Sequence, residues 1–190
     1  GANLVPDDVI STWAGLRPLI AAPPNVDESE ISREHEVFAR TDGLVIVAGG
    51  KLTTYRRMAR ETVGEAVKLL DQLGESVETK RATTKDRPLP GAEGLAQTDL
   101  EGVAAIGRRL MADYGLDADT ATHLCGVYGT RAPLIAARIV ADRKLGERLD
   151  HELPYVWAEI EFAAQYDLAR TVDDVLSRRV PLLLVSRDQG

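Results

Sequence analysis

A short apolar run that ends in two glycines constrains the fold of this chain more than any other stretch. Residues 44–48 are apolar and rich in β-branched side chains, which predicts a strand buried on both faces. Gly49 and Gly50 follow, and glycine allows a sharp turn or a close approach to a ligand. Thr53 or Thr54 suits the N-cap of a following helix. The amides at that helix start would suit an anion, or a carbonyl that becomes anionic.

Two other interpretations of this glycine turn are open from the pattern alone. A nucleotide-phosphate loop needs a glycine, four further residues and then Gly-Lys-Ser/Thr, because the hydroxyl beside the lysine holds magnesium. Val45 stands where the first glycine belongs and Leu52 stands where the hydroxyl belongs, so the pattern argues against nucleoside triphosphate hydrolysis. A plain corner between a strand and a helix, with no ligand, also fits.

Several stretches resemble the FAD-dependent glycerol-3-phosphate dehydrogenases. Residues 49–56, Gly-Gly-Lys-Leu-Thr-Thr-Tyr-Arg, resemble the late flavin-contacting segment of that family. Residues 13–19 and 31–35 resemble its two segments that each bring an arginine into the substrate pocket. Residues 158–163 and 172–179 resemble its helical C-terminal domain. The resemblance therefore covers nearly the whole chain, with its motifs in the family's order.

The resemblance implies a set of site residues. Guanidinium groups suit a phosphate ester because their planar fork makes two parallel hydrogen bonds. Without the resemblance, a surface salt bridge is the favoured interpretation of Arg17, and Arg33 has the same alternative. The resemblance implies no hydroxyl base in this chain, and His35 has no partner visible in the sequence. The implied substrate-binding residues are Arg17, Arg33 and Lys51, and the implied cofactor-binding residues are Gly49, Gly50, Lys51, Leu52, Thr53 and Thr54.

The resemblance also implies a reaction. Such an enzyme oxidises sn-glycerol 3-phosphate to dihydroxyacetone phosphate by hydride transfer to FAD, and its electrons pass to a quinone. The implied location is the cytoplasm, with the parent enzyme peripheral on the cytoplasmic face of the membrane. The sequence leaves the oligomeric state open, and a homo-oligomer is among the states considered.

The family's dinucleotide-binding turn, Gly-x-Gly-x-x-Gly between a strand and a helix, is absent from this sequence. Gly1-Ala2 also resembles an artificial start. We therefore expect a C-terminal fragment of a larger enzyme, itself shortened at its end. Alone, the fragment is expected to be inactive and to bind no FAD tightly, because the dinucleotide half of the site is missing.

Two other functions are weighed against this one. A related FAD-dependent glycerol-3-phosphate oxidase, which passes electrons to oxygen, would share every motif above. A non-enzymatic helical interaction module is the second alternative, because residues 91–190 contain no catalytic constellation in the sequence.

The predicted fold class is α+β and mostly α. Residues 1–90 are predicted to be the C-terminal part of the FAD-dependent oxidoreductase domain, a partial FAD- and substrate-binding segment of strands, glycine turn and helix. Residues 91–190 are predicted to be an all-α C-terminal domain. We expect a strand or extended segment over 13–20, a strand over 31–39 that brings Arg33 near the glycine turn, and a buried extended segment over 180–185. Helices are expected over 53–73, 98–114, 117–128, 130–145, 155–169 and 171–179, with caps at Thr98, Asp117, Thr130 and Thr171 and stops at Gly74 and Gly115.

Composition excludes several classes of protein. Hydrophobic residues make up 44% of the 190 residues and charged residues 28%, so the chain is globular. The formal net charge is −7 and aromatic residues are 5% of the chain, which argues against nucleic acid as a partner. No run of 18 apolar residues is present.

Single residues of reactive type have simple interpretations. Cys125 is the one cysteine, which excludes an intrachain disulfide, fits a reducing cytosol, and predicts a small core residue. The three histidines lack the spacing of metal ligands, so no metal is expected. The carboxylate pairs Glu159/Glu161 and Asp173/Asp174 are expected to diverge on their helices and to act as caps and surface charges.

Overall fold

The computed structural model describes residues 3–16, 20 and 34–187. Its described residues form two compact units, one within 14–87 and the other within 1–13 together with 88–190. The predicted fold class, α+β and mostly α, is confirmed by a two-stranded sheet and several helices. The division predicted at residue 90 stays a prediction, and the structure groups the N-terminal residues with the helical unit.

The smaller unit is a β-hairpin packed on one long helix. Strand β1 (His35–Ala39) pairs antiparallel with strand β2 (Val45–Gly49), and His35 lies opposite Gly49. A 3₁₀ turn, Leu52–Thr54, leads into helix α1 (Tyr55–Gln72). The predicted hairpin and helix are therefore confirmed over these residues. Residues 13–16 contain no strand, and residues 17–19 and 21–33 lie outside the described part of the chain.

The predicted burial of the second strand on both faces is wrong. No residue of β2 is fully buried; Leu44, just before it, is 52% exposed and Val47 is 42% exposed. A two-stranded ribbon that packs against a single helix covers one face and leaves the other open within this unit. The apolar run therefore does not indicate a central strand of this unit.

The predicted threonine cap of α1 is also wrong. The hydroxyl of Thr54 donates to the carbonyl oxygen of Lys51 at 3.0 Å and accepts no helix amide. The 3₁₀ turn satisfies part of the helix start by backbone hydrogen bonds instead. The predicted stop is confirmed, because Gly74 has a φ of +83° directly after the last turn.

The larger unit packs helices around one apolar core. Pro133 lies in the first turn of its third helix, where a missing N–H costs nothing. Its helices are α2 (Leu100–Tyr114), α3 (Ala118–Tyr128), α4 (Ala132–Ala141), α5 (Trp157–Tyr166) and the short α6 (Leu182–Val185), with a π-helical turn at Asp174–Arg179. The largest fully buried apolar side chains are Phe162, Leu110, Leu124, Ile135, Val156 and Val180.

The predicted helix ends at Asp117 and Gly115 are confirmed, whereas the cap of α2 is the residue next to the predicted one. Asp117 caps α3 as predicted, because its carboxylate accepts the amide of Thr120 at 3.0 Å. The cap of α2 is Asp99, which accepts the amide of Gly102 at 2.8 Å, and not Thr98. Gly115 ends α2 in the left-handed conformation, as predicted.

Three other predictions for this unit are wrong. The hydroxyl of Thr130 donates to Glu93 at 2.9 Å, so this threonine does not cap α4. Helix α4 ends at Ala141 and not near 145, because the chain becomes extended at Asp142. The predicted extended segment over 180–185 contains helix α6, whose turn pairs backbone groups locally.

The N-terminal residues belong to the helical unit through contacts far apart in sequence. The Ser11 hydroxyl donates to the carbonyl of Leu184 at 2.8 Å, and Arg187 donates to the carbonyl of Asp7 at 3.0 Å. A short 3₁₀ turn spans Pro6–Asp8. No helix within the described ranges combines the length and apolar character needed to cross a membrane.

Candidate functional site

The glycine turn between β2 and α1 has positive φ angles and is closely packed. Gly49 has a φ of +70° and Gly50 a φ of +90°. A Cβ on Gly49 would lie 2.6 Å from the carbonyl oxygen of Glu34, and a Cβ on Gly50 would lie 2.6 Å from the sulfur of Met58. Both glycines are therefore required by the chain's own turn, because any side chain would be strained and would clash.

The residues after the turn present an exposed cation and an exposed apolar side chain. Lys51 is exposed, and no carboxylate within the described ranges forms an ion pair with it. Leu52 is 87% exposed, and Thr53 is exposed as well. Helix α1 begins at Tyr55 without a side-chain cap. This combination suits a flat apolar ring with an edge that becomes anionic, so the residues fit the flavin that the sequence implied.

A histidine and a carboxylate lie beside this turn. The Nε2 atom of His35 is 2.7 Å from Oε2 of Glu61, and the His35 side chain is 9% exposed. Arg57 donates to the other oxygen of Glu61 at 2.8 Å. The hydrogen bonds from Arg57 and then from His35 lower the pKa of the Glu61 carboxyl. His35 therefore has a partner, which the sequence could not reveal because 26 positions separate the two residues.

The two predicted substrate arginines, Arg17 and Arg33, lie outside the described residues. Lys51 is the one predicted substrate-binding residue within the described ranges, and it lies directly after Gly50. The roles of all three residues in binding substrate therefore stay predictions.

A second polar cluster lies inside the helical unit, around Glu159, for which the sequence predicts a helix cap or a surface charge. Glu159 is 1% exposed and accepts hydrogen bonds from three groups. They are Nε2 of His123 at 2.8 Å, the hydroxyl of Tyr128 at 3.0 Å and the amide of Val156 at 2.8 Å. Burial, followed by the charge of Glu159, raises the pKa of the Tyr128 phenol. The cluster joins α3 to the start of α5.

Glu159 is a helix cap as predicted, because it accepts the amide of Val156 at the start of α5. It is buried, so the prediction of a surface charge is wrong for Glu159 and right for its neighbour. Glu161 is exposed on the same helix, because residues two apart point in different directions. The pair Asp173/Asp174 lies near the surface and binds Arg178 at 2.6 and 2.9 Å. Cys125 is 5% exposed, which confirms it as a core residue.

Comparison with known proteins identifies the family. Residues 82–190 match the family model of the C-terminal domain of alpha-glycerophosphate oxidase. A mitochondrial glycerol-3-phosphate dehydrogenase of Arabidopsis thaliana is 33% identical over 188 residues, which is 95% of this chain and 29% of that protein. The mitochondrial enzyme of Bos taurus is 34% identical over 94% of this chain and 23% of its own length.

A probable mitochondrial glycerol-3-phosphate dehydrogenase of Caenorhabditis elegans is 36% identical over 94% of this chain and 24% of its own length. The chain thus spans roughly a quarter of the curated relatives that it matches. The resemblance predicted from the glycine turn and the helical segments is confirmed. The chain belongs to the family of the C-terminal domain of alpha-glycerophosphate oxidase, and its relatives are glycerol-3-phosphate dehydrogenases.

Proposed function

We propose that this chain is part of a FAD-dependent enzyme that oxidises sn-glycerol 3-phosphate to dihydroxyacetone phosphate. The observation that carries the proposal is the Gly49–Gly50 turn, which is followed by the exposed Lys51 in a chain of this family. FAD, when bound, accepts the hydride from C2 of the substrate. The protein supplies binding, orientation and charge around that transfer.

In this proposal the turn contributes positive potential and hydrogen-bond donors. Lys51 carries its charge at the end of β2, beside the start of α1. Leu52 offers an apolar surface to a ring, and the backbone amides of residues 52 and 53 offer donors toward negative charge, because the amide of Thr54 already donates to the Lys51 carbonyl. Loss of one well-placed donor in such a site costs roughly 3 kcal/mol of transition-state stabilisation. Arg17 and Arg33 would bind the phosphate or the C2 oxygen of the substrate.

The remaining partners belong to the whole enzyme. We propose a quinone as electron acceptor, and a location at the cytoplasmic membrane surface. We also propose that the 190-residue chain alone is inactive and binds no FAD tightly. The support is that its sequence lacks the Gly-x-Gly-x-x-Gly turn that holds a dinucleotide. Titration of the chain with FAD tests this, and submicromolar binding would contradict it.

The visible spectrum of the full-length protein tests the main proposal. We expect a flavin spectrum that bleaches when glycerol 3-phosphate is added without oxygen. A flavin that does not bleach would reject the substrate. A folded full-length protein without flavin would reject the redox function, and a helical interaction module would then be the better hypothesis.

Oxygen is a second candidate for the electron acceptor. The family model that matches residues 82–190 is named for alpha-glycerophosphate oxidase, which favours this alternative. Every residue discussed above would serve either enzyme, because the acceptor reacts only after the flavin is reduced. Oxygen uptake by the full-length protein with glycerol 3-phosphate, measured without added quinone, distinguishes the two.

A further inference from the structure

A pocket of about 260 Å³ opens in the helical unit, where α3, the residue before α4 and the π-helical turn contribute residues. Acidic residues outnumber basic residues in 88–190, yet this pocket gathers three arginines around one carboxylate. The arginines are Arg131, Arg178 and Arg179, and the carboxylate is Asp167.

Arg131 is held in place while its hydrogen-bond donors remain unused. Its guanidinium carbon lies 4.8 Å from the ring centre of Phe162 and 5.7 Å from that of Tyr166. The side chain is 27% exposed, and its ion pair with Asp167 is long, at 3.8 Å. Among the residues that the structure describes, none accepts a hydrogen bond from this guanidinium. Stacking on the rings fixes the group, so little side-chain entropy is lost when a ligand binds.

The other two arginines differ in whether a carboxylate neutralises their charge. Arg178 binds both Asp173 and Asp174, so its charge is neutralised locally. Arg179 donates one N–H to the backbone carbonyl of Asp167 at 2.9 Å, and no carboxylate in the described ranges forms an ion pair with it. Arg131 and Arg179 therefore line the pocket together with Asp167, the one acidic residue of its lining among the described residues.

Two polar groups near Arg131 already form hydrogen bonds of their own. Glu93 lies close enough to Arg131 for the two charges to interact; Oε2 of its carboxylate accepts from the Thr130 hydroxyl and the Gly91 amide, and the residue is outside the pocket lining. The hydroxyl of Tyr128 is bound to Glu159. The donors left in the pocket are therefore guanidinium N–H groups, which match the oxygens of a phosphate group.

We infer that this pocket binds a phosphate group, through Arg131 and Arg179, in a small soluble phosphate ester or a phospholipid headgroup. A volume of about 260 Å³ accommodates a phosphate with a short carbon chain. The inference does not rest on the proposed redox function, because every residue used lies in the helical unit.

Calorimetric titration of the 190-residue chain with inorganic phosphate, in a chloride buffer, tests the soluble source. We expect saturable binding that weakens roughly tenfold in Arg179→Gln, the loss expected for one charge-assisted contact. Arg131→Gln should weaken it at least as much. Arg109→Gln is the matched control, because that side chain is 79% exposed on α2. Lys51→Gln is a second control for phosphate bound at the glycine turn.

Sedimentation with vesicles of phosphatidylcholine and phosphatidylglycerol tests the lipid source. Binding in either assay that falls in Arg179→Gln and not in Arg109→Gln supports the inference and identifies the source. An absence of binding in both assays overturns it. Binding that is equal in wild type and Arg179→Gln, with both proteins folded by circular dichroism, also overturns it. Binding lost only in Lys51→Gln would assign the phosphate to the glycine turn and reject this pocket.

Discussion

The Nε2 atom of His35 lies 2.7 Å from Oε2 of Glu61 and ties the first residue of β1 to the second turn of α1. His35 also faces Gly49 across the strand pair. The contact therefore joins α1 to β1, the strand that pairs with β2 at the glycine turn. We interpret the His35–Glu61 contact as the interaction that fixes where β2 ends and α1 begins.

Glu61→Gln should weaken the His35–Glu61 contact, and the resulting loss of stability should depend on pH. Arg57 and His35 lower the pKa of Glu61, so the carboxylate stabilises the fold above its usual pKa range. That stabilisation is lost as the pH falls through the lowered pKa. The variant should therefore be less stable than wild type in urea at pH 7, and the difference should shrink below about pH 4.

Glu65→Gln is the control for this measurement. Glu65 pairs with Lys68 on the same helix, and Lys68 is 68% exposed, so this change should alter stability little at either pH. A Glu61→Gln difference of the same size at both pH values would show that the carboxylate charge is not the stabilising feature.

Gly50→Ala should destabilise the turn. Gly50 has a φ of +90°, and its new Cβ would lie 2.6 Å from Met58 sulfur. Strain of this kind costs about 1–3 kcal/mol, before any displacement of Met58. Gly64→Ala is the matched control, because Gly64 lies inside α1 with nothing within 4 Å of its Cβ position. That control should gain up to about 1 kcal/mol. Urea unfolding of both variants checks the opposite signs, and a stable Gly50→Ala would contradict the geometry.

The sequence predicted best those features whose cause is local. Gly74, Gly115 and Asp117 end or begin helices through hydrogen bonds within a few residues, so their neighbours in sequence are their neighbours in space. The sequence predicts Thr98 as the cap of α2, but Asp99 forms it, and both residue types have capping side chains. A choice between adjacent caps depends on backbone angles that composition does not reveal.

The features that sequence reasoning missed depend on tertiary packing. The divergence of Glu159 and Glu161 was inferred correctly from helix geometry, but the pattern did not reveal which one faces the core. His123 lies 36 positions from Glu159, and no spacing rule joins them. The sequence overestimates the burial of β2 for the same reason, because an apolar run does not show whether other elements cover one face of the strand or both.

Glu159→Ala should strongly destabilise the helical unit. It removes a buried carboxylate and leaves His123, Tyr128 and the Val156 amide without their acceptor. We expect a loss of about 3 kcal/mol in the free energy of unfolding. Glu161→Ala, on the exposed side of the same helix, should change it by less than about 0.5 kcal/mol. Equal effects of the two variants in denaturant unfolding would contradict the importance of the cluster.

Lys51→Ala should lower the catalytic activity of the full-length enzyme without lowering its stability. Lys51 is exposed, and no ion pair joins it to another described residue, so its removal should leave the melting temperature within a degree or so of wild type. If its charge stabilises the transition state, kcat/KM for glycerol 3-phosphate should fall roughly a hundredfold. Lys68→Ala, which removes a lysine from the exposed face of α1, is the matched control and should keep full activity. Unchanged kinetics in Lys51→Ala would show that this lysine is not part of the site. The proposed reaction would still be tested by the bleaching of the flavin on addition of substrate.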